Sequence, residues 1–285
     1  MGCAIIGCGK SLPALAVAND DLTQLVDTSD EWITTRTGIN SRLIAVGETN
    51  VDMAEGAARQ AMGLVEGGYC EAPIAPESID LVVYSTCTPD VLVPSCAALV
   101  RRRLGLVNAV AFDVNAACSG FIYAMSVAES MMASSALGVA GAGRRNKVRR
   151  ALVIGSERLT RITNWEDRTT CVLFGDGGGA AVVEWDESRA GVLATYMKND
   201  DDDTNALTCP SAFDSPQPFD ANGVSKEAAV AGDPGNARID EELGVTEAVA
   251  AGRPRQSLFM HGQTIFKFAA NAMGNAIDEV CKRAD

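Results

Sequence analysis

Five short apolar runs punctuate the first two thirds of the chain, at residues 4–6, 81–85, 110–114, 152–154 and 180–184. Each is rich in Val, Ile, Leu or Ala and has the length of a strand. Between them, residues 52–62, 95–104 and 120–133 place small and apolar side chains at three- and four-residue steps. That spacing predicts helices with one buried face. Strand and helix in alternation predict an α/β domain built on a sheet. A run as continuous as Ala151-Leu152-Val153-Ile154 predicts strands covered on both faces.

The pattern changes near residue 199. Asn199 opens an acidic run through Asp203, and Pro210, Pro216, Pro218, Pro234 and Pro254 follow among Gly, Asp and Ala. This predicts a long irregular excursion at about 199–255, with the acidic run a solvated loop rather than a cation site. Helical spacing returns over 263–284, where Ile265, Phe266, Ala269, Ala272, Met273, Ala276, Ile277 and Val280 recur. The expected organisation is a first part over 1–184 and a second over 185–285 that contains the excursion.

Composition narrows the function classes. Hydrophobic residues make up 47% and charged residues 21%, a globular balance. The net charge is −13, which argues against nucleic acid as the main partner. No apolar stretch approaches the ~18 residues of a membrane span, and the first residues lack the pattern of a secretory leader. Nine cysteines are scattered without a CxxC pair, so neither a disulfide framework nor a zinc site is expected. They suit a reducing compartment, hence the cytoplasm. His261 is the single histidine, which restricts acid–base chemistry.

Five stretches could carry chemistry. Residues 110–121 run from a strand through Asn115-Ala116-Ala117-Cys118-Ser119-Gly120 into a helix. Cys118 then lies near a helix N-terminus, where unpaired amides and the helix dipole favour a thiolate and could hold an oxyanion. A buried structural cysteine remains the alternative. Thr28 and Glu31 have capping-box spacing, which places Trp32 and Arg36 on one helix face. An aromatic beside a cation suits an adenine and its phosphates, although a half-buried Trp with a surface Arg fits as well. The Gly-rich stretch Gly175-Asp176-Gly177-Gly178-Gly179 reads as a tight hairpin rather than a phosphate cradle. Arg101-Arg102-Arg103 and the basic residues of 144–150 could steer an anion but read more simply as solvated loops.

Taken together these stretches resemble the β-ketoacyl-acyl-carrier-protein synthase III family. The marks are Thr28 through Arg36-Thr37-Gly38-Ile39, Val93-Pro94-Ser95, the residues around Cys118, Gly155-Ser156-Glu157, Asp167-Arg168, Phe174-Gly175-Asp176-Gly177, and Gly262 followed by Phe266-Lys267. The resemblance implies a thiolase-like layered αβαβα fold, its N-terminal half complete and its C-terminal half incomplete within these residues. It implies Cys118 as the nucleophile that takes an acyl group, often acetyl, from acyl-CoA. Malonyl-acyl carrier protein would be the second substrate, and a homodimer the expected assembly. No separate cofactor and no metal is implied, since the CoA thioester is itself a substrate.

Residue by residue, the resemblance assigns CoA binding to Thr28, Trp32, Arg36 and Arg168, with the adenine between Trp32 and Arg168. It places Val93 on the acyl-pocket wall, Gly262 and Phe266 along the pantetheine channel, and Lys267 on the carrier-protein docking face. The family also uses a His, an Asn and a Gly-rich loop that these 285 residues lack, and His261 does not match the family His. The expectation is therefore a truncated sequence, slowly acylated at best and unable to condense. Two other readings stand beside it: a non-catalytic acyl-CoA or carrier-protein binding module, and a priming ketosynthase of polyketide or alkylquinolone synthesis.

Overall fold

In the computed structural model, residues 2–137, 147–201, 204–210, 219–220, 223–224, 241, 245–250 and 257–284 are described. Strands β1 (Gly2–Ser11), β4 (Tyr69–Cys70), β5 (Leu81–Ser85), β6 (Val110–Val114), β7 (Arg150–Arg158) and β8 (Asp176–Asp186) form one mixed sheet. Its order is β4-β1-β8-β7-β5-β6. β5 lies parallel to both β6 and β7, while β1 and β7 run antiparallel to β8. All five predicted strands are present, three of them longer than the apolar run that signalled them.

Both faces of the sheet are covered, which explains the continuous apolar runs. Helices α2 (Asn50–Ala61) and α3 (Cys96–Arg103) take one face, packing on Val82, Tyr84, Leu152 and Ile154. On the other face α4 (Gly120–Ala136) sets Ala124, Ala128 and Met132 against Leu81, Val83, Ala151 and Val153. Consecutive residues of β5 therefore serve opposite layers, as strand pleating requires.

The Gly-rich stretch is not a hairpin. Residues 168–173 form turns, and Gly177, Gly178 and Gly179 lie inside β8, between β1 and β7. The reason is steric: a Cβ on Gly178 would sit 2.9 Å from the backbone of Met53 in α2. Gly7 and Gly9 of β1 face α2 in the same way, against the carbonyls of Ala61 and Ala57. Glycine here permits helix and sheet to meet backbone to backbone.

A small module packs beside the sheet. It holds β2 (Leu15–Ala18), β3 (Ser41–Ile44) and α1 (Asp30–Thr37). Leu22, Ile33, Cys171 and Val172 are its buried centre, with Trp32 packed against them.

The excursion is less irregular than expected. It contains β9 (Leu207–Thr208), β10 (Phe219–Asp220), β11 (Gly223–Val224) and α5 (Val245–Ala250). β9 pairs with β12 (Phe259–Met260), which leads into α6 (Gly262–Ala284). Arg144, Arg145, Asp202, Asp203 and the prolines at 216, 218, 234 and 254 lie outside the described residues.

Candidate active site

Cys118 sits where β6 ends and α4 begins, at the carboxyl end of the sheet, where open α/β sheets gather their ligands. The chain leaves β6 at Val114, and Asn115 Oδ1 accepts the Ala117 N–H at 3.2 Å. Ala117 has φ 44°, one of two non-glycine residues in the left-handed region among those described. That conformation costs about 1–2 kcal/mol in a residue with a Cβ, and such strain clusters at functional sites. A single 3-10 turn, Ala117–Ser119, then feeds directly into α4. No side chain caps that helix; the Ser119 and Gly120 amides at its start instead donate to Ala116 O and Ala117 O within the 3-10 turn. Gly120 is forced, because a Cβ there would collide with Ser85 Oγ. Cys118 itself is exposed.

The end of β5 builds the floor beside it. Thr86 N donates to Val114 O at 3.2 Å, which continues the β5–β6 pairing. Glu157, in β7, accepts the Cys87 N–H at 2.7 Å, the Thr88 N–H at 3.0 Å and the Thr86 hydroxyl at 3.0 Å. The Thr88 hydroxyl donates to it as well. Asn50 Nδ2 donates to Thr86 Oγ1 at 2.9 Å, and the buried Tyr84 hydroxyl donates to Asn50 Oδ1 at 2.8 Å. Sequence reasoning had no role for this cradle. Its only trace was Glu157 in a family mark, since Thr86, Thr88 and Asn50 become neighbours through the sheet alone. A second carboxylate, Asp113 of β6, anchors α3 by accepting the amides of Cys96 and Ala97 at 2.8 and 2.7 Å.

Two guanidiniums lie over the Trp32 indole. Arg36 is 4.5 Å and Arg168 5.0 Å from the indole ring centre. Arg36 is thus on the face that the i,i+4 spacing predicted, and Arg168 arrives from a segment 132 residues further on. Arg168 also donates to Asp27 O at 2.8 Å. A flat ring between Trp32 and Arg168 needs two contacts of about 3.5 Å each, so the 5.0 Å stack must widen to admit one. The helix cap is a correction. Ser29, not Thr28, caps α1, its hydroxyl accepting the Trp32 N–H at 3.1 Å. Thr28 Oγ1 is buried without a hydrogen-bond partner, a donor left for something else to satisfy.

The remaining predicted positions stand apart. Val93 is 86% exposed, so no enclosed acyl pocket forms around it here. Gly262, Phe266 and Lys267 lie in the first turns of α6, all exposed, Phe266 at 73%. No hydrogen bond or ion pair among the described residues joins them to Cys118. His261 precedes that helix, with Nδ1 2.8 Å from Thr264 Oγ1. Arg101–Arg103 form the last turn of α3 rather than a solvated loop, where positive charge complements the helix dipole. Two of them are committed: Arg101 to the carbonyls of Ala109 and Val107, Arg103 to Asp52 and Glu55. Among the described residues no group of three or more His, Cys, Asp or Glu could hold a metal ion. No helix among them is long and apolar enough to cross a membrane.

Comparison with known proteins identifies the family. Residues 112–201 match the family model for 3-oxoacyl-[acyl-carrier-protein (ACP)] synthase III. The β-ketoacyl-[acyl-carrier-protein] synthase III of Xylella fastidiosa is 41% identical over 276 residues, which is 96% of this chain and 69% of that protein. The solved 3-oxoacyl-[acyl-carrier-protein] synthase III of Aquifex aeolicus superposes with a TM-score of 0.70 at 36% identity, over 99% of this chain and 72% of that one. The priming β-ketosynthase of the R1128 polyketide pathway superposes with a TM-score of 0.72 at 29% identity, over 96% and 68%. The layered fold is thus the thiolase-like one expected from the sequence, and the chain belongs to the β-ketoacyl-[acyl-carrier-protein] synthase III family.

Proposed function

We propose that Cys118 Sγ accepts an acyl group, acetyl in the first instance, from acyl-CoA, and that the second step of this reading, condensation with malonyl-acyl carrier protein, needs the family His and Asn that these 285 residues do not supply. The thiolate attacks the thioester carbonyl, a new C–S bond forms, and CoA leaves as its thiol after taking a proton. In this reading the dipole at the start of α4 stabilises the oxyanion as it develops. In the second step the malonyl C–C bond breaks and carbon dioxide leaves. The enolate electron pair attacks the acyl-Cys carbonyl, which releases a β-ketoacyl-carrier protein and restores Cys118. This product begins fatty-acid synthesis.

The exposed thiol at the strained turn into an uncapped helix carries this reading. The Trp32, Arg36 and Arg168 stack supports CoA as the donor, with Thr28 Oγ1 as a further polar contact. In this reading Gly262 and Phe266 guide the pantetheine arm, Lys267 meets the acidic carrier, and Val93 touches the acyl chain. A homodimer belongs to the same proposal. β6 is the outer strand of the sheet, and Leu92, Val93 and Ile122 expose apolar surface for a second copy to cover.

The test is incubation with radiolabelled acetyl-CoA, followed by digestion and mapping. Label on Cys118, lost in Cys118→Ala, is the expected result; label on another residue, or none, overturns the assignment. The likeness to the priming β-ketosynthase favours a second reading, in which the acyl product enters polyketide rather than fatty-acid synthesis. Label transferred from longer acyl-CoAs in preference to acetyl-CoA would favour it.

A further inference from the structure

Three cysteines lie near the carboxyl ends of β5 and β6, and they differ sharply in exposure. Cys96 is fully buried at the start of α3, Cys87 is half-buried just beyond β5, and Cys118 is exposed. Ser85 pairs with Val114, and Gly120 rests directly on the Ser85 side chain. Cys87 is therefore two residues past the point that supports the Cys118 turn, and the two thiols interact electrostatically. An enzyme that holds its acyl group on one sulfur needs the neighbouring sulfur to stay inert.

Glu157 is placed to impose that difference. Its carboxylate takes four hydrogen bonds from the 86–88 turn, including the amide of Cys87 itself. It has no ion pair to a Lys, Arg or His among the described residues, so its charge faces the turn. Burial first, then Glu157, pushes the Cys87 thiol up to about 12, with the charge of Cys118 adding to the shift. Burial likewise pushes Cys96 up to about 11, with Asp113, Asp90 and Glu157 as the carboxylates that add to it. Thiol reactivity follows the thiolate fraction, so both buried neighbours are poor nucleophiles.

We propose that Glu157 is a positioning residue that keeps Cys87 unreactive, so that the incoming acyl group is accepted at Cys118 alone. The inference rests on Cys118 being the nucleophile. Glu157 acts through the 86–88 turn and touches no substrate.

The test is site-resolved thiol labelling of the full chain. A short pulse of iodoacetamide is followed by mass spectrometry of every cysteine, and a parallel sample receives labelled acetyl-CoA. In the unmodified chain Cys87 should react at least about tenfold more slowly than Cys118. Glu157→Gln should shrink that ratio about tenfold and let acetyl label divide between the two sulfurs. Glu157→Asp, which keeps the charge, should retain most of the protection. Equal labelling in the unmodified chain, or an unchanged ratio in Glu157→Gln, overturns the inference. Acetyl label absent from Cys118 in the unmodified chain instead overturns the nucleophile assignment. If circular dichroism shows Glu157→Gln unfolded, Thr88→Val carries the test. It keeps the carboxylate's charge and removes one donor of four, so Cys87 should stay as protected as in the unmodified chain; a rise of about threefold or more in Cys87 labelling overturns the inference.

Discussion

Helix α4 buries Ala124, Ala128 and Met132 against the sheet, whereas α6 leaves Phe266, Phe268, Met273 and Ile277 exposed. Both show apolar residues at helical spacing, and in both the spacing located the helix. The difference lies in what faces them. α4 follows β6 through one turn and is delivered onto a sheet whose inner residues are already apolar. α6 has no buried residue; Ile265, Ala269, Ala272, Ala276 and Val280 along one face are only half-buried. β12 joins it to β9, while at its far end Arg283 donates to Thr195 O at 3.2 Å and lies over the Tyr196 ring at 4.9 Å. Periodicity states which face seeks burial; only the neighbouring element decides whether it is buried.

Substitutions can break this contrast or sharpen it. Met132→Ala, in the fully buried layer under α4, should cost about 2–5 kcal/mol, read as a shift in urea midpoint. A loss below about 1 kcal/mol would mean that α4 is no better packed than α6. Gly9→Ala brings a Cβ against the Ala57 carbonyl and should cost about 1–3 kcal/mol in the same assay. Arg283→Ala should cost about 0.5–1 kcal/mol, confined to α6 and the 195–196 segment and read as faster amide exchange there without a lower global midpoint. Ile277→Ser should change stability by less than about 0.5 kcal/mol, since the side chain is already in solvent.

The core was the most legible part of the sequence. Leu81–Val83 and Ala151–Ile154 were readable because strands packed on both faces leave no polar interruption, and Val110–Val114 was readable although Asp113 interrupts it. Cys118 was placed correctly at a helix start because small residues between a strand and a helix leave few other geometries. Trp32 and Arg36 followed from helical spacing, but Arg168 joined them only through the fold. The glycines of β8 were misread because their cause is remote: Met53 of α2, far away in sequence, removes the room for a side chain. The capping residue shifted from Thr28 to Ser29 because Ser29 occupies the extended cap conformation, φ −149° and ψ 161°, directly before Asp30. Glu157 escaped notice for a similar reason, as its four donors come from a turn about seventy residues earlier.

The glycine seam between α2 and the sheet has one more effect. With main chain lying on main chain at Gly7, Gly9 and Gly178, that layer is a keel with nothing compressible in it. Sliding of α2 would drive carbonyl oxygens into the strands. Entry of a flat ligand between Trp32 and Arg168 must then be accommodated by the rim, where residues 27–29 and 164–170 are joined by the Arg168 to Asp27 hydrogen bond. The gunwale breathes while the hull beneath it stays fixed.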